Sequence, residues 1–487
     1  MAAFEIFKRT FPLTLIVLLL GLVVRSFAQD KPEFRAMWIS AYGAGLLTTK
    51  EIDDSINAAK LANLNALIVQ VRKTGDAHYK SDYEPRAENI PDPKFDPLEY
   101  IVKKAHANGL EVHAWINTYK VWAGKTPPKS PNHMFNKHPE WINRNIEGRL
   151  DKSGQYALDP GIPGVQQHLF NVYMDVLKKY DVDGIHFDYV RYWSPDLVYS
   201  KIAVDRFNKE KGRTGTPKMD DPEWCDWRRA RVTDLVRQVY AGATKLKPWV
   251  KVTGSVVCSQ PCTAEFRDSH PYNLLLQDWE RWLREGIIDA VVPMNYKSES
   301  DPALAKQFRE WIDGMVKWRH GRHAYNGISV RGVDDFVTQV KETRTRGADG
   351  VVGFDFGPKS SRATFAEGLR QSVYEKWVPT PPMSWKPSRS SAVIEQPLTD
   401  PKQLFDKAIY YASTGNDLDK AIELLKAALD TDPNYAEAHF RLGRCYLRKG
   451  MKDQAVAQFK ETLELDGEHS GAIAELQTLA GGTATKP

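Results

Sequence analysis

The stretch DGIHFDYVRY at residues 183–192 decides the fold of this 487-residue chain. It has the composition of a buried β-strand that ends in a carboxylate, Asp188. Alternation along a strand predicts Ile185, Phe187 and Tyr189 on one face and His186, Asp188 and Val190 on the other. In a barrel of parallel strands the polar face points inward, and active sites form where the strands end. A buried carboxylate there is either functional or holds a neighbouring Arg or Tyr side chain in place.

Eight strand-like runs of this kind alternate with amphipathic helical stretches from residue 35 to about residue 376. This alternation is typical of βαβ units and a parallel sheet. We therefore predict an α/β fold, a (β/α)8 TIM barrel over residues 33–376. A doubly wound open sheet is the alternative, but no G-x-G-x-x-G or P-loop motif follows the first run. The eight runs are residues 35–41, 66–72, 111–119, 183–192, 250–257, 289–296, 323–330 and 350–356.

The first 28 residues have the pattern of an export signal. Lys8 and Arg9 precede an apolar run at residues 11–24, and the small residues before position 29 suit cleavage after Ala28. The run is shorter than the roughly 20 residues that a membrane span needs. No Cys follows it to carry a lipid, so we expect a periplasmic or secreted protein without an integral membrane span.

Charge and cysteine content exclude some partners. The formal net charge is +5 and no block of basic residues occurs, so a nucleic acid is not an expected partner. Cys225, Cys258, Cys262 and Cys445 allow three complete pairings, and the close pair Cys258 and Cys262 could form a local disulfide. A single C-x-x-x-C lacks the second ligand pair of a zinc site, so we predict neither a metal nor a cofactor.

The chain after the barrel divides into a linker and an all-α tail. Residues 377–401 contain six prolines, which predicts a semi-rigid linker. Beyond it a period of 34 residues is visible: Ala421, Leu425 and Pro433 recur as Ala455, Phe459 and Gly467. This spacing predicts tetratricopeptide repeats with a capping helix over residues 402–480. Such a tail normally binds a protein partner or stabilises an assembly.

Polar and aromatic side chains end several predicted strands, and we expect them to converge at one face of the barrel. They are Gln70, Arg72 and Asp76, Trp115 and Asn117, His186 and Asp188, Asn295 and Tyr296, and Asp355, with Trp193 in the long loop that follows the fourth strand. Glycoside hydrolysis needs one carboxylic acid and a second carboxylate. We predict Asp188 as a catalytic carboxylate with Asp76 or Asp355 as its partner, and we assign substrate binding to the other side chains. Arg72 is expected to hold Asp76 by a bidentate ion pair.

Long runs of the sequence resemble one known family. FRAMWIS at 34–40, LIVQVRKTGDAHYKSDYEP at 67–85, DGIHFDYVRYW at 183–193 and DAVVPMNY at 289–296 resemble the bacterial glycosyl hydrolase-like family 10 domain. The resemblance covers residues from about 33 to 375. It implies an exported glycosidase that acts on cell-wall glycan, such as denuded peptidoglycan, or on a related polysaccharide. The family's recurring polar positions fall on Arg72, Asp76, Asn117, Asp188 and Asn295.

Two functions remain open at this stage. The fourth strand departs from the D-G-x-D-x-D-x-E signature of chitinase-type barrels at His186 and Val190, which removes support for a substrate-assisted mechanism. The first function is a glycoside hydrolase. The second is a non-catalytic glycan-binding scaffold whose repeat tail recruits a protein partner. Carboxylates about 5–5.5 Å apart indicate a retaining enzyme, and about 6.5–9.5 Å an inverting one.

Overall fold

The computed structural model describes residues 31–43, 45–356, 359–387, 389, 401–412 and 418–481. The predicted export signal at residues 1–28 lies outside the described residues. The chain divides into two compact units, Met1–Ile394 and Glu395–Pro487, and each is described by itself.

Eight parallel strands of the first unit form a closed barrel, as predicted. Around the barrel they follow the order β1, β2, β3, β6, β7, β8, β9 and β10, and β10 pairs with β1. Their bounds are β1 Phe34–Ile39, β2 Ala66–Arg72, β3 Glu111–Asn117, β6 Gly184–Asp188, β7 Lys251–Val256, β8 Ala290–Pro293, β9 His323–Ser329 and β10 Gly350–Phe354. Each strand lies within or beside one predicted run. All residues of β2 are buried, as expected for a strand covered on both faces.

Helices follow the strands and cover the outside of the barrel. Several begin with an acidic cap and a proline in the first turn, as where Asp96 and Asp301 accept hydrogen bonds from the backbone N–H groups that follow them. The helices are α1 Thr49–Leu61, α2 Pro97–His106, α3 Met134–Lys137, α4 Pro163–Lys179, α5 Lys201–Lys211, α6 Pro222–Leu246, α7 His270–Asn273, α8 Trp279–Arg284, α9 Pro302–Lys317, α10 Val333–Thr345 and α11 Lys359–Arg370. The long loop after β3 carries an antiparallel hairpin, β4 Lys120–Ala123 and β5 Gln155–Ala157.

Two apolar layers stabilise the barrel. Side chains inside it, including Phe34, Trp38 and Trp115, pack against one another, and a larger layer lies between the sheet and the helices. Gly184 at the start of β6 makes the inner layer possible, because a Cβ atom there would clash with the ring of His113.

The predicted alternation holds along β6 and fails immediately after it. Ile185 and Phe187 belong to the outer layer, whereas His186 lies inside the barrel. β6 ends at Asp188, and Tyr189 has the left-handed backbone angle φ 48°. The side chain of Tyr189 therefore lines the interior cavity, and Val190 packs into the outer layer. The predicted faces of Tyr189 and Val190 are wrong.

The first part of the predicted linker belongs to the barrel. Val378 and Met383 are buried, and Trp385 donates a hydrogen bond to Asp289 Oδ1 at 2.8 Å. Lys386 Nζ lies 3.0 Å from the other oxygen of the same carboxylate. We call residues 377–387 and 389 the basal strap, because these contacts fasten the segment to a residue that precedes a barrel strand, at the end opposite the strand C-termini. The first part of the semi-rigid linker predicted at residues 377–401 is thus packed on the barrel.

The second unit is a helical repeat array, as predicted. Its helices are α12 Pro401–Tyr410, α13 Leu418–Thr431, α14 Ala436–Arg448, α15 Lys452–Leu465 and α16 Ser470–Gly481. Ala421, Leu425, Ala455 and Phe459 of the 34-residue period are fully buried. A Cβ atom at Gly443 would lie 2.6 Å from the ring of Phe459, so the repeat needs a residue without a side chain there.

Three further sequence expectations concern the cysteines, membrane spans and metal sites. The four cysteines are free, so the local disulfide that Cys258 and Cys262 allow is not formed. None of the helices in the described part of the chain is both long and apolar enough to cross a membrane. Among the described residues, no three His, Cys, Asp or Glu side chains lie close enough together to hold a metal ion.

Candidate active site

A cavity of about 210 Å³ opens at the C-terminal end of the barrel strands. Its lining is aromatic at the base and polar around one wall. The lining residues are Trp38, Ser40, Tyr42, Gln70, Trp115, Asn117, Asp188, Tyr189, Arg191, Ser255, Met294, Tyr296 and Phe354. A larger cavity of about 440 Å³ lies at the opposite end, beside Glu33, Arg35 and Arg344, whose charges pair with one another. Active sites of such barrels form at the strand C-termini, so the smaller cavity is the candidate.

Asp188 is the acidic group of this cavity. Its side chain ends β6 and is 5% exposed. One carboxyl oxygen accepts a hydrogen bond from the Tyr189 backbone N–H at 2.6 Å, and the other accepts from Trp115 Nε1 at 3.0 Å. No ion pair within 4.0 Å joins it to a cation of the described chain. Burial raises the pKa of Asp188 to about 6, against the opposing effects of the Tyr189 N–H, Arg191, Trp115 and Lys120.

A chain of hydrogen bonds fixes the wall beside Asp188. The Trp115 indole N–H is shared between Asp188 and Asn117 Oδ1, which lies at 2.9 Å. Gln70 Nε2 donates to the same Asn117 oxygen at 3.3 Å, and its own oxygen accepts from the Ala41 backbone N–H. Because neighbouring strands supply these groups, the barrel itself orients the carboxyl of Asp188.

His186 lies under the cavity floor and is fully buried. Its Nε2 is 3.2 Å from Trp38 Nε1, and its Nδ1 is 2.8 Å from the Thr253 hydroxyl. An indole N–H can only donate, so Nε2 is the acceptor and the ring proton is on Nδ1. Burial lowers the pKa of His186 well below its usual value, so the ring is neutral. His186 therefore supports Trp38 and Ser255, which line the cavity, without lining it itself.

Asp76 and Asp355, the two predicted partners of Asp188, are not among the cavity-lining residues. Asp76 accepts a hydrogen bond from the Thr74 backbone N–H at 2.7 Å, and Lys73 Nζ lies 3.7 Å from its other oxygen. Partial burial and the charges of Tyr189, Asp76 and Asp188 raise the pKa of Tyr42, which lines the cavity. Burial is the largest cause that raises the pKa of Tyr296, which also lines the cavity. The charge of Asp355 adds to this effect, after those of Asp188, Cys258 and Tyr189. Asp76 and Asp355 thus affect the pKa of a cavity-lining tyrosine without lining the cavity themselves.

Arg72 has another partner than the one predicted. It is fully buried and binds Glu84 by a bidentate ion pair, with Nε at 2.7 Å and Nη2 at 2.8 Å from the two carboxyl oxygens. His168 Nε2 lies 3.1 Å from the same carboxylate. The predicted ion pair with Asp76 is wrong. Arg72 Nη1 also donates to the backbone oxygens of residues 117, 118 and 120, so it fixes the end of β3 from outside the cavity.

The remaining predicted binding residues divide between the cavity and its surroundings. Gln70, Trp115, Asn117 and Tyr296 line the cavity. Asn295 is fully buried and donates to the Phe308 backbone oxygen, so it faces the helical layer. Trp193 stacks on Tyr189 with ring centroids 5.5 Å apart and therefore lies just beside the cavity.

Several cavity residues were missed by the sequence analysis. Ser40 and Tyr42 follow β1, and Ser255 lies near the end of β7, so the rule that strand ends form the site applies to them as well. Tyr189 was assigned to the outer face. Arg191, two residues beyond it, carried no signal of its own, because its position depends on the turn at Tyr189.

The fold and the cavity thus define a class of protein: a (β/α)8 barrel with a buried acidic side chain at the C-terminal ends of its strands. The chain belongs to the glycosyl hydrolase-like 10 family, whose sequence pattern matches residues 33–342. Residues 415–480 match the tetratricopeptide repeat. The resemblance found in the sequence is thereby confirmed.

Relatives agree with this assignment. The chain is 29% identical over 352 residues to glycosyl hydrolase YngK of Bacillus subtilis, with 66% of each protein covered. It is 25% identical over 333 residues to glycosyl hydrolase DigH of Escherichia coli, covering 63% of this chain and 66% of that protein. The chain thus spans slightly less than two thirds of these relatives.

Solved structures agree with the fold. The glycoside hydrolase domain of PgaB (BpsB) from Bordetella bronchiseptica has a TM-score of 0.53 at 13% identity, covering 70% of this chain and 98% of that one. The catalytic domain of β-amylase from Paenibacillus polymyxa has a TM-score of 0.54 at 12% identity, covering 72% and 99%. At such low identity these similarities concern the barrel fold alone.

Proposed function

We propose that this protein is an exported glycoside hydrolase that cleaves glycosidic bonds of cell-wall glycan, with Asp188 as the general acid. One observation carries the proposal: the cavity holds a buried carboxyl whose pKa is raised to about 6. A general acid has to be protonated when substrate binds, and an ordinary aspartate is not protonated near neutral pH. Membership in the glycosyl hydrolase-like 10 family supports the same reading.

In the proposed reaction Asp188 donates its proton to the leaving glycosidic oxygen as the bond to the anomeric carbon breaks. The hydrogen bonds from Tyr189 and Trp115 hold the carboxyl in one orientation, so a bound sugar meets it without rearrangement. The aromatic rings at the cavity base offer flat faces to a sugar ring and exclude water from the carboxyl. Positioned proton transfer of this kind contributes about 10²- to 10⁴-fold in rate.

A second carboxylate completes the proposed mechanism as nucleophile or as the base that activates water. Asp76 and Asp355 are the two candidates, because each acts on the pKa of a tyrosine that lines the cavity. The distance between the acting pair determines the anomeric outcome, as in other glycosidases. Asp76→Asn and Asp355→Asn, each tested with azide as an external nucleophile, identify the partner. Restored turnover with a glycosyl azide product marks the nucleophile of a retaining enzyme.

The proposed substrate class and location follow from the sequence and the relatives. The resemblance implies cell-wall glycan, denuded peptidoglycan included, and the two named relatives are called glycosyl hydrolases. Residues 1–28 have the pattern of an export signal, so we place the protein in the periplasm or outside the cell. The repeat array is the surface that we assign to a protein partner.

A non-catalytic glycan-binding scaffold is the second candidate, and one observation favours it. Asp188 is the only carboxylate among the described residues that line the cavity. A glycosidase of the usual kind needs two. In a scaffold, Asp188 would serve as a hydrogen-bonding group for a sugar hydroxyl, and no bond would be cleaved.

One experiment separates the two candidates. The chain without residues 1–28 is incubated with denuded peptidoglycan strands and with chitooligosaccharides, and new reducing ends are identified by mass spectrometry. Asp188→Asn should lower cleavage by at least about 10²-fold, whereas the exposed Asp196→Asn serves as a control outside the cavity. The rate should fall about tenfold per pH unit above pH 6, where Asp188 loses its proton. Binding without cleavage at any pH would favour the scaffold.

A further inference from the structure

We propose that Arg191 and Lys120 form a subsite for a sugar that carries a carboxylate, next to the bond that Asp188 cleaves. The inference rests on the proposed function for the position of the cleaved bond, but the anion site itself does not require cleavage. It adds a recognition element to the cavity, in residues to which no role has been assigned above.

Arg191 is an unpaired cation in the cavity wall. It lines the cavity together with Asp188, yet no carboxylate lies within ion-pair distance of its guanidinium in the described chain. It donates no hydrogen bond to any residue that the structure describes, and its Nε is buried without a partner. A buried donor without a partner costs free energy, whereas the two Nη groups are not buried in this way and can meet a ligand acceptor. Arginine stays protonated even where burial lowers its pKa, as it does here.

Two aromatic rings hold this cation in place. The guanidinium carbon lies 5.0 Å from the Tyr189 ring centroid and 5.6 Å from that of Trp193. The two rings are themselves stacked on each other. Contacts of a cation with aromatic rings are favourable but leave its N–H groups free. The side chain is therefore positioned by packing, and its Nη donors remain available to a ligand.

Lys120 brings a second positive charge to the same rings. Its Nζ lies 4.9 Å from the Tyr189 centroid and 5.0 Å from the Trp193 centroid. It donates to Gln155 Oε1 on the neighbouring strand of the hairpin, so it is held but not neutralised. Arg191 thus lines the cavity and Lys120 lies beside it, and both cations act on the pKa of the single carboxyl of Asp188. When Asp188 is protonated, both positive charges are uncompensated.

This charge pattern selects the chemical class of the ligand. A planar guanidinium matches a carboxylate by two parallel hydrogen bonds. A neutral glycan offers hydroxyl acceptors to Arg191 but no negative charge to compensate the two cations when water is displaced. We therefore assign the subsite to a carboxylated glycan. The carboxylate can come from the lactyl ether of a peptide-free muramic acid or from a uronic acid.

The test compares glycans that differ only in the carboxylate. Denuded peptidoglycan oligomers are used as prepared and after carbodiimide activation and borohydride reduction, which converts each carboxylate to a primary alcohol. Binding to the chain without residues 1–28 is measured by calorimetry at low temperature. An alternating glucuronic acid and N-acetylglucosamine oligomer tests the second source. Cleavage products are followed in parallel by mass spectrometry.

Loss of one charged bidentate contact is expected to weaken binding about 10- to 100-fold. Reduction of the carboxylates and Arg191→Gln should each produce such a loss, and the two together should produce no more than either alone. Arg191→Lys keeps the charge without the fork and should lie in between. The exposed Arg267→Gln is the matched control. If the Arg191→Gln variant does not fold, the affinities of the unchanged protein for the native and the reduced oligomers still test the subsite.

The outcomes distinguish failure of the subsite from failure of the hydrolase. Tight binding that depends on the carboxylate and on Arg191, without cleavage, supports the subsite and refutes the hydrolase. Equal affinity for native and reduced oligomers, or additive losses, overturns the subsite whether or not bonds are cleaved. Binding of only one of the two acids identifies the source of the carboxylate.

Discussion

Asp188→Asn is predicted to stabilise the barrel at neutral pH, because the buried carboxylate is costly when it is charged. Its pKa rises from the ordinary 3.8 to about 6 in the folded protein. At 1.36 kcal/mol per pKa unit this difference is worth about 3 kcal/mol. A group with a raised folded pKa loses its stabilising proton as pH rises, so the cost is absent below pH 3.8 and complete above about pH 6.

The net effect of the substitution is smaller than this limit. An asparagine offers one acceptor and one donor, whereas both carboxyl oxygens of Asp188 accept hydrogen bonds, from Tyr189 N–H and from Trp115. One of the two hydrogen bonds is lost, at about 1 kcal/mol. We expect no gain in the free energy of unfolding near pH 4.5 and a gain of about 2 kcal/mol at pH 7.5.

Urea unfolding at several pH values measures this difference. All 14 tryptophans precede residue 386, so tryptophan fluorescence reports on the first unit without interference from the repeats. Asp196→Asn, an exposed substitution, controls for the change in net charge. A stability difference that stays constant between pH 4.5 and 7.5 would refute the raised pKa and, with it, the main argument for Asp188 as an acid.

Two further predictions concern groups away from the cavity. Glu84→Gln should lower the free energy of unfolding by about 3–5 kcal/mol, because it leaves the Arg72 guanidinium buried without its counter-ion. Chemical denaturation measures this loss. A loss below about 1 kcal/mol would contradict the prediction. A chain that ends after residue 378 should aggregate or unfold earlier than one that ends after residue 394, because it uncovers the fully buried Asp289 carboxylate that Trp385 and Lys386 contact. Thermal unfolding of the two truncated chains compares them directly, and equal midpoints would show that the basal strap adds no stability.

The fold was predictable because its signal is local and repeated. Each of the eight strands is a short buried run between turn residues. An error in the bounds of one run would therefore not have changed the predicted number of strands. The lining of the candidate cavity was predictable in part, since the rule that active sites form at strand ends pointed to Gln70, Trp115, Asn117, Asp188 and Tyr296.

The wrong predictions concern positions where the structure depends on tertiary contacts, which the spacing of residues in the sequence does not reveal. The backbone turn at Tyr189 reverses the side-chain alternation at one residue, and no composition signal marks it. Arg72 lies nearer in sequence to Asp76 than to Glu84, but the loop folds back and presents the more distant carboxylate. The basal strap is rich in proline, yet proline content says nothing about the contacts of Trp385 and Lys386 with Asp289.

The turn at Tyr189 affects which linkages of a glycan would bind next to Asp188. Three of the four consecutive residues 188–191, Asp188, Tyr189 and Arg191, bring a carboxyl, an aromatic face and a guanidinium to one cavity. The span between the proposed proton donor and the proposed anion site is therefore set by three peptide bonds and does not vary with the movement of separate loops. Such a segment keeps the spacing between the two groups fixed. On a glycan in which charged and neutral sugars alternate, only one of the two kinds of linkage would meet Asp188 in register, and every product would end in the same kind of sugar.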